Sequence, residues 1–304
     1  MGDLTGKVAV ITGAGRGLGR EEAMQLASQG ARVVINDIGL PDAKEAAEAT
    51  VEEIKGMGGE AIAVYGDCAD STDAENLMKT ALDTFGDVNI FVNNAGFCRD
   101  QTIFGMDDEE FDSVVRVHLR GHFVNMRNVT AYWRDKAKAG NEVYGRLIST
   151  SSEAAIYGSA GQPNYAAAKA GIISMTMGAA QLLTKYGITA NVIMPRALTD
   201  MTAGGQTAEM FAPPEDGSFH MFDPANVAPL VGYLASPEAG RISGEVMVVW
   251  GNEVSILERP KSLDAIVNPK GAAKWEVDDL HSALASHYDD NYVTVWGGFS
   301  VPPY

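Results

Sequence analysis

The stretch Lys7–Gly19, KVAVITGAGRGLG, runs a short apolar, β-branched segment straight into a cluster of glycines. Lys7–Thr12 reads as a strand, and Arg20–Gln29 behind the glycines reads as a helix. The glycines are not in G-x-G-x-x-G register, because with Gly13 and Gly15 a third would be needed at position 18, which is Leu. They read G-x-x-x-G-x-G through Gly13, Gly17 and Gly19. Glycines there permit a tight turn and close backbone approach, and the helix behind them offers its N-terminus to a pyrophosphate. A turn can need glycine for its own sake, so the context decides. A strand precedes, a helix follows, and the next strand, Arg32–Asp37 (RVVIND), ends in an acid. A carboxylate at Asp37 suits the two ribose hydroxyls of NAD and repels a 2′-phosphate. Arg16 inside the loop pulls toward the 2′-phosphate of NADP; Asp37, nearer the 2′ position, favours NAD.

Outward from that unit the pattern repeats. Helix is expected over Ala43–Lys55, Ala74–Phe85, Phe111–Trp133 and Ala166–Leu183. Strands are expected at Ala61–Tyr65, Asn89–Val92, Arg146–Thr150, Thr189–Met194 and Glu245–Val249. Alternation of helices with almost continuously apolar strands predicts an α/β fold: a doubly wound, seven-stranded parallel sheet with helices on both faces. One catalytic domain over residues 1–259 is expected. A weakly periodic segment, about 196–226, reads as a substrate lid. Residues 260–304 hold Trp275, Tyr288, Tyr292, Trp296 and Tyr304, too aromatic for a solvated tail, and are expected to pack on the body or on a partner subunit.

The 304 residues carry 23 Lys plus Arg against 40 Asp plus Glu, a formal charge of −17. Such a surface repels a phosphate backbone, which disfavours nucleic acid as a partner. Two cysteines, Cys68 and Cys98, make no disulfide framework. No apolar run reaches the roughly 18 residues of a membrane span. A cytoplasmic protein is expected. His118 and His122 lie four apart without an evident third ligand, so no metal is expected.

Further cofactor contacts fall after successive strands, where open α/β sheets bind ligands. Asp67 and Cys68 follow the third strand, and Asn94, Ala95 and Gly96 follow the fourth. With Gly13, Arg16, Gly17, Leu18 and Asp37 they outline a dinucleotide path. Tyr165 and Lys169 (YAAAK) share a helix face, and Ser152 stands thirteen residues before Tyr165, just past the fifth strand. A nearby ammonium favours phenolate, so Lys169, a cationic nicotinamide and a dry site together could turn Tyr165 into a general base, with Ser152 holding the reacting oxygen. A second Tyr-x-x-x-Lys, Tyr132 to Lys136, has Leu119 thirteen residues earlier and reads as a surface pair.

TGAGRGLG, NNAG, Ser152 and YAAAK in this order resemble the short-chain dehydrogenase/reductase family over about residues 4–252. The resemblance implies a Rossmann sheet, a nicotinamide cofactor and reversible alcohol–ketone hydride transfer. It implies Tyr165 as acid/base, Lys169 as ribose ligand and pKa modifier, and Ser152 as donor to the substrate oxygen. VVINDIG, VHLRGHF and YGRLISTSSEA are similar to the (3R)-hydroxyacyl-CoA dehydrogenase units of type 2 peroxisomal multifunctional enzymes, also called 17β-hydroxysteroid dehydrogenase type 4. AYWRDKAKAG and MPRALTDMTAG look closer to bacterial steroid-degrading relatives. That implies NAD-dependent oxidation of a 3-hydroxyacyl-CoA. A free hydroxysteroid dehydrogenase, a 3-oxoacyl-carrier-protein reductase and, remotely, a non-catalytic dinucleotide sensor are the alternatives. The family's mid-helix asparagine is His118 here, which would relay protons or hold the helix. Its Pro-Gly after the sixth strand is Pro195-Arg196, which leaves the nicotinamide amide contact open between Thr199 and Thr202, with Leu198 as the backbone contact. CoA phosphates would need a cation, with Arg99, Arg196 and Arg241 as candidates. Homo-oligomerisation through Phe111–Trp133 and Ala166–Leu183 is the family expectation.

Overall fold

Alternate residues of the first strand, β1 (Val8–Thr12), bury themselves in two different places. Ala9 and Ile11 join one apolar cluster, and Val8 and Val10 join another. Side chains of a strand alternate between faces, so a sheet covered on both faces needs an unbroken apolar run. A computed structural model of the chain describes residues 2–203, 208–260, 262, 265–268, 270–271, 274–285, 293–295 and 299–301.

The order along the chain is β1, α1 (Gly17–Ser28), β2 (Arg32–Asp37), α2 (Pro41–Gly56), β3 (Ala61–Tyr65), α3 (Ser71–Phe85) and β4 (Ile90–Asn93). Then come α4 (Asp108–Val115), a π-helical turn (Arg116–Arg120), α5 (Gly121–Lys138), β5 (Arg146–Thr150), α6 (Ala154–Tyr157), α7 (Pro163–Leu183) and β6 (Thr189–Pro195). After α8 (Ala208–Phe211) and α9 (Ala228–Ala235), β7 (Val246–Trp250) and β8 (Glu253–Ile256) close the sheet. Its strand order is β3-β2-β1-β4-β5-β6-β7-β8. The order reverses between β1 and β4, which opens a crevice at their carboxyl ends. Leu18, Leu26, Val51 and Val231 cover one face; Leu77, Val129, Trp133 and Leu183 cover the other.

The sheet has eight strands where seven were expected. β8 is antiparallel to β7, with Trp250 opposite Glu253 across a two-residue Gly251-Asn252 turn. Glu253–Ile256 is largely exposed, so it lacks the apolar run of a buried strand. The expected single helix over Phe111–Trp133 starts earlier and is interrupted. Asp107 and Glu110 form a capping box that starts α4, and the π turn inserts around His118.

Two compact units divide the chain, residues 1–257 and 258–304. The second contains α10 (Val277–Leu284) and an antiparallel pair, β9 (Val293–Val295) and β10 (Phe299–Val301). Lys270 pairs there with the buried carboxylate of Asp279. Trp275 is half-buried, whereas Tyr288, Tyr292, Trp296 and Tyr304 lie outside the described residues, as do positions 204–207 of the segment read as a lid.

Glu22 in α1 is fully buried, and neither carboxylate oxygen has a hydrogen-bond partner among the described residues. Burial pushes its pKa up to about 8. Between the ordinary value of 4.5 and about 8, the folded chain holds a proton that the unfolded chain has released. Stability must therefore fall as pH rises through that window, by about 1.4 kcal/mol per pH unit. Glu22→Gln removes this slope. In urea unfolding, the variant's stability relative to the parent chain should grow by a few kcal/mol between about pH 5 and about pH 8. Parallel pH profiles for the two proteins would assign the penalty to another group.

Candidate active site

The glycine turn after β1 is built for close approach. Gly13 has φ +64°, and a Cβ added there would sit 2.8 Å from the Cα of Ala95 in the β4 turn. The two turns are laced together by Thr12, whose hydroxyl accepts from the N–H groups of Asn94 (3.0 Å) and Ala95 (3.1 Å). α1 then begins without a side-chain cap and without an acid in its first turn. Its first backbone N–H groups are thus left for an anion, the requirement for holding a pyrophosphate.

Three cavities follow one another along the carboxyl ends of the strands. The first, about 610 Å³, is lined by Gly13, Arg16, Gly17, Leu18, Asp37, Asn94, Ala95 and Gly96. The second, about 860 Å³, shares Gly13, Asp37, Ala95 and Gly96 and adds Asp67 and Cys68. The third, about 670 Å³, shares Leu18, Asn94 and Thr199 with the first and holds Ser152, Tyr165 and Lys169. The expected dinucleotide residues and the reactive trio thus lie along one continuous groove. Asp37 accepts from the Gly15 N–H at 2.9 Å, which ties the end of β2 to the glycine loop. Arg16 pairs with Asp42 (3.0 Å) and approaches Asp200 (3.6 Å). Asp67 is held by Arg116 at 2.7 Å.

Leu198 is the exception. Its N–H donates to the Phe222 carbonyl at 2.7 Å, and it is absent from the lining of all three cavities. The wall is made instead by Ala197, Thr199 and Thr202. The Thr202 hydroxyl is occupied, donating to the Ala197 carbonyl (2.8 Å) and accepting from the Thr199 N–H (2.8 Å). This leaves Thr199, which borders both the groove and the reactive cavity, better placed to reach a ligand.

Around the phenol, burial controls the electrostatics. Lys169 is 2% exposed, and its ammonium donates to the Thr150 carbonyl at 2.8 Å. Burial lowers its pKa to about 7. Its Nζ lies 5.3 Å from the Tyr165 ring centroid. Burial also pushes the Tyr165 phenol well above its ordinary value, with the Cys98 thiol adding to the rise and Ser152 opposing it. The protein alone therefore does not deliver the lowered phenol pKa expected from Lys169. Desolvation outweighs what the neighbouring amine contributes.

His118 packs edge-on against Tyr165, ring centroids 5.1 Å apart. Its Nε2 lies 2.8 Å from the Phe97 carbonyl oxygen and 3.2 Å from the Phe97 backbone nitrogen, so both contacts fall on Nε2, and Nδ1 is buried without a partner among the described residues. Burial, then the charge of Lys169, hold its pKa well below the ordinary value. His122 donates from Nδ1 to the His118 carbonyl at 2.7 Å, a helix-internal bond. Among the described residues no three His, Cys, Asp or Glu side chains gather as a metal site. The second Tyr-x-x-x-Lys clamps Asp87, which accepts from Tyr132 (2.7 Å) and Lys136 (2.6 Å), far from the groove. One wall feature went unseen in the sequence: Arg196 forks onto Glu153, Nε to Oε2 at 2.6 Å and Nη2 to Oε1 at 2.7 Å, while lying 4.0 Å from the Trp250 ring.

The family model for short chain dehydrogenases matches residues 7–209. The chain belongs to the short-chain dehydrogenase family. It is an oxidoreductase with a dinucleotide-binding Rossmann fold. This short-chain dehydrogenase is 44% identical to the hydroxyacyl-CoA dehydrogenase ChsB1 of Mycobacterium tuberculosis, over 94% of this chain and 90% of that protein. It is 41% identical to the mouse peroxisomal multifunctional enzyme type 2 over 87% of this chain, but spans only 34% of that enzyme. The crystal structure of a short chain dehydrogenase from Mycobacterium avium superposes with a TM-score of 0.84 at 40% identity, covering 100% of this chain and 99% of that one. A Burkholderia cenocepacia short chain dehydrogenase in complex with NADP gives a TM-score of 0.71 at 31% identity over 82% of this chain and 98% of its own. No described helix is long and apolar enough to cross a membrane.

The His118 ring fills the space that a side chain at position 96 would need: a Cβ on Gly96 would sit 1.9 Å from its Cε1. Gly96→Ala should push the imidazole toward Tyr165 and lower kcat/KM by about ten-fold or more, the scale of a core overpacking penalty. Adding His118→Ala should recover much of that loss. A double variant that merely sums the two losses would show that ring and glycine act separately.

Proposed function

We propose that the chain catalyses NAD-dependent oxidation of a 3-hydroxyacyl-CoA to the 3-oxoacyl-CoA. The convergence of Ser152, Tyr165 and Lys169 on the cavity that continues the glycine-loop groove carries the reading. The similarity to a hydroxyacyl-CoA dehydrogenase over nearly the whole chain supports the substrate class. Tyr165 takes the hydroxyl proton of the substrate, and Ser152 donates a hydrogen bond to the same oxygen. Lys169, with a pKa near neutrality, accepts and returns protons beside the phenol. A bound oxidised nicotinamide supplies the hydride acceptor and a positive charge that favours phenolate. His118 stays neutral and acts as a positioning residue, fixing Phe97 and the edge of Tyr165. Thr199, Met201 and Phe211 form part of the wall over the cavity.

NAD is favoured over NADP by charge. Asp37 occupies the end of β2, and the cation that could meet a 2′-phosphate, Arg16, is already shared between Asp42 and Asp200. Exposed Phe111, Phe123 and Leu182 on α4, α5 and α7 fit a second copy of the chain.

Two measurements test this. NADH formation is followed across 3-hydroxyacyl-CoA thioesters, including bulky sterol-derived ones, and free hydroxysteroids. The thioesters should turn over with a kcat/KM for NAD well above that for NADP. Efficient oxidation of free hydroxysteroids alone, or an NADP preference, would overturn the corresponding part. Tyr165→Phe should lose about 10²–10⁴-fold in kcat while retaining dinucleotide binding, measured by NADH fluorescence. Near-normal turnover in that variant would remove the phenol from the chemistry.

A further inference from the structure

We infer that the loop after β4 is the handle-binding site of the enzyme: Arg99 and Phe104 hold the 3′-phosphorylated ADP portion of CoA at the mouth of the reactive cavity. The inference rests on the proposed acyl-CoA activity and says where the charged end of that substrate lies. Three arginines could have met the phosphates, and the structure separates them. Arg196 has Nε and one Nη committed to the two oxygens of Glu153 and lies against Trp250. Arg241 precedes β7 and so lies at the amino end of a strand whose carboxyl end faces the groove. Arg99 stands between Cys98 and Asp100, both of which line the reactive cavity. It is exposed, its guanidinium lies 5.2 Å from the Phe97 ring, and it has no ion-pair partner among the described residues. In a chain of net charge −17, a cation without a carboxylate partner at a cavity rim is an unusual asset.

The backbone that carries Arg99 is pinned. Asn164 Nδ2 donates to the Arg99 carbonyl at 3.1 Å, Gln162 Nε2 donates to Asp100 at 2.9 Å, and the Gln101 N–H donates to the Gly161 carbonyl at 2.8 Å. All three partners sit just before Tyr165, so the rim and the phenol are held in one frame. Beyond it, the N–H groups of Gly105 and Met106 both donate to the Thr102 carbonyl at 3.0 Å, closing a turn. The turn presents Ile103 and Phe104 to solvent, the latter 90% exposed. An exposed aromatic ring a few residues from a free guanidinium offers a stacking surface for adenine and a donor fork for phosphate. Free phosphate or a lipid headgroup would use the arginine without needing the ring. An acidic carrier protein would be repelled by the net charge.

The test compares one 3-hydroxyacyl group carried on CoA with the same group on pantetheine, which lacks the nucleotide. The full-length chain should prefer the CoA thioester in kcat/KM. Arg99→Gln and Phe104→Ala should each cut that preference by about five- to ten-fold, and Arg99→Lys should keep more of it than Arg99→Gln. Added salt should erode the preference of the parent chain and leave that of Arg99→Gln nearly flat. A parent chain that oxidises both thioesters equally well refutes the handle site while leaving the acyl-thioester reading intact. So does an unchanged preference in both variants. Failure of the parent chain to oxidise either thioester refutes the acyl-thioester reading itself.

Discussion

The buried ammonium of Lys169 is the constraint around which the site is organised. A lysine withdrawn from water pays heavily for its charge unless a partner meets it. Here that partner is the Thr150 carbonyl at the end of β5. The next residue adds a second tie, because the Ser151 hydroxyl donates to the Lys169 carbonyl at 2.9 Å. Together these bonds fix α7 against the carboxyl end of β5, and so fix Tyr165 one helical turn away from Lys169 and next to Ser152. The same burial that positions the phenol raises its pKa and lowers that of the amine. Burial thus drives the two proton affinities apart and keeps the phenol protonated. A charge delivered by a ligand, rather than one carried permanently by the protein, is then what tips the phenol toward ionisation.

How much of this was legible in the chain depends on what kind of signal each feature leaves. β2, β3 and β5 lie where strands were expected, because each is built around a short apolar stretch, Val33–Ile35, Ala61–Val64 and Leu147–Ile148. The groove residues were legible for a related reason: they sit in short turns directly after those strands, so locating a strand locates its turn. β8 escaped because an exposed edge strand shows no such run, although Gly251-Asn252 after an apolar stretch is a recognisable hairpin signal. The early start of α4 was readable in the Asp107…Glu110 capping pair. The π turn at His118 leaves no sequence mark, since it changes the helix by one hydrogen bond, yet it sets where the imidazole stands against Tyr165. Leu198 was assigned a backbone contact by family spacing, and what no spacing shows is that its N–H donates to the Phe222 carbonyl.

Charge is where sequence arithmetic and local structure diverge most. A net −17 describes a field that disfavours every anion, while both proposed ligands are anions. The fold answers locally and differently at the two ends of the groove. Along the dinucleotide path two cations are already matched: Arg16 to Asp42 and Asp200, and Arg116 to Asp67. A pyrophosphate there would rely on the uncapped N-terminus of α1, whose partial charge falls off within a turn and discriminates by shape as much as by sign. A 2′-phosphate would need an arginine that two carboxylates already share.

At the other end Arg196 is spent on Glu153 in the wall of the reactive cavity, which leaves that stretch of wall suited to an uncharged acyl chain. What cannot be buried in such a cavity is a polyanion, and the only reasonable place for one is outside the rim, in water. There a single guanidinium counts for more than its modest exposed-pair energy. It competes with no carboxylate partner, and the acidic surface around it makes the rest of the molecule unattractive to the same ligand. Repulsion elsewhere then does as much to direct an anionic handle to this loop as attraction does at it. An acidic protein that acts on an anionic substrate gains specificity from that contrast where a cation such as Arg99 stands at the entrance.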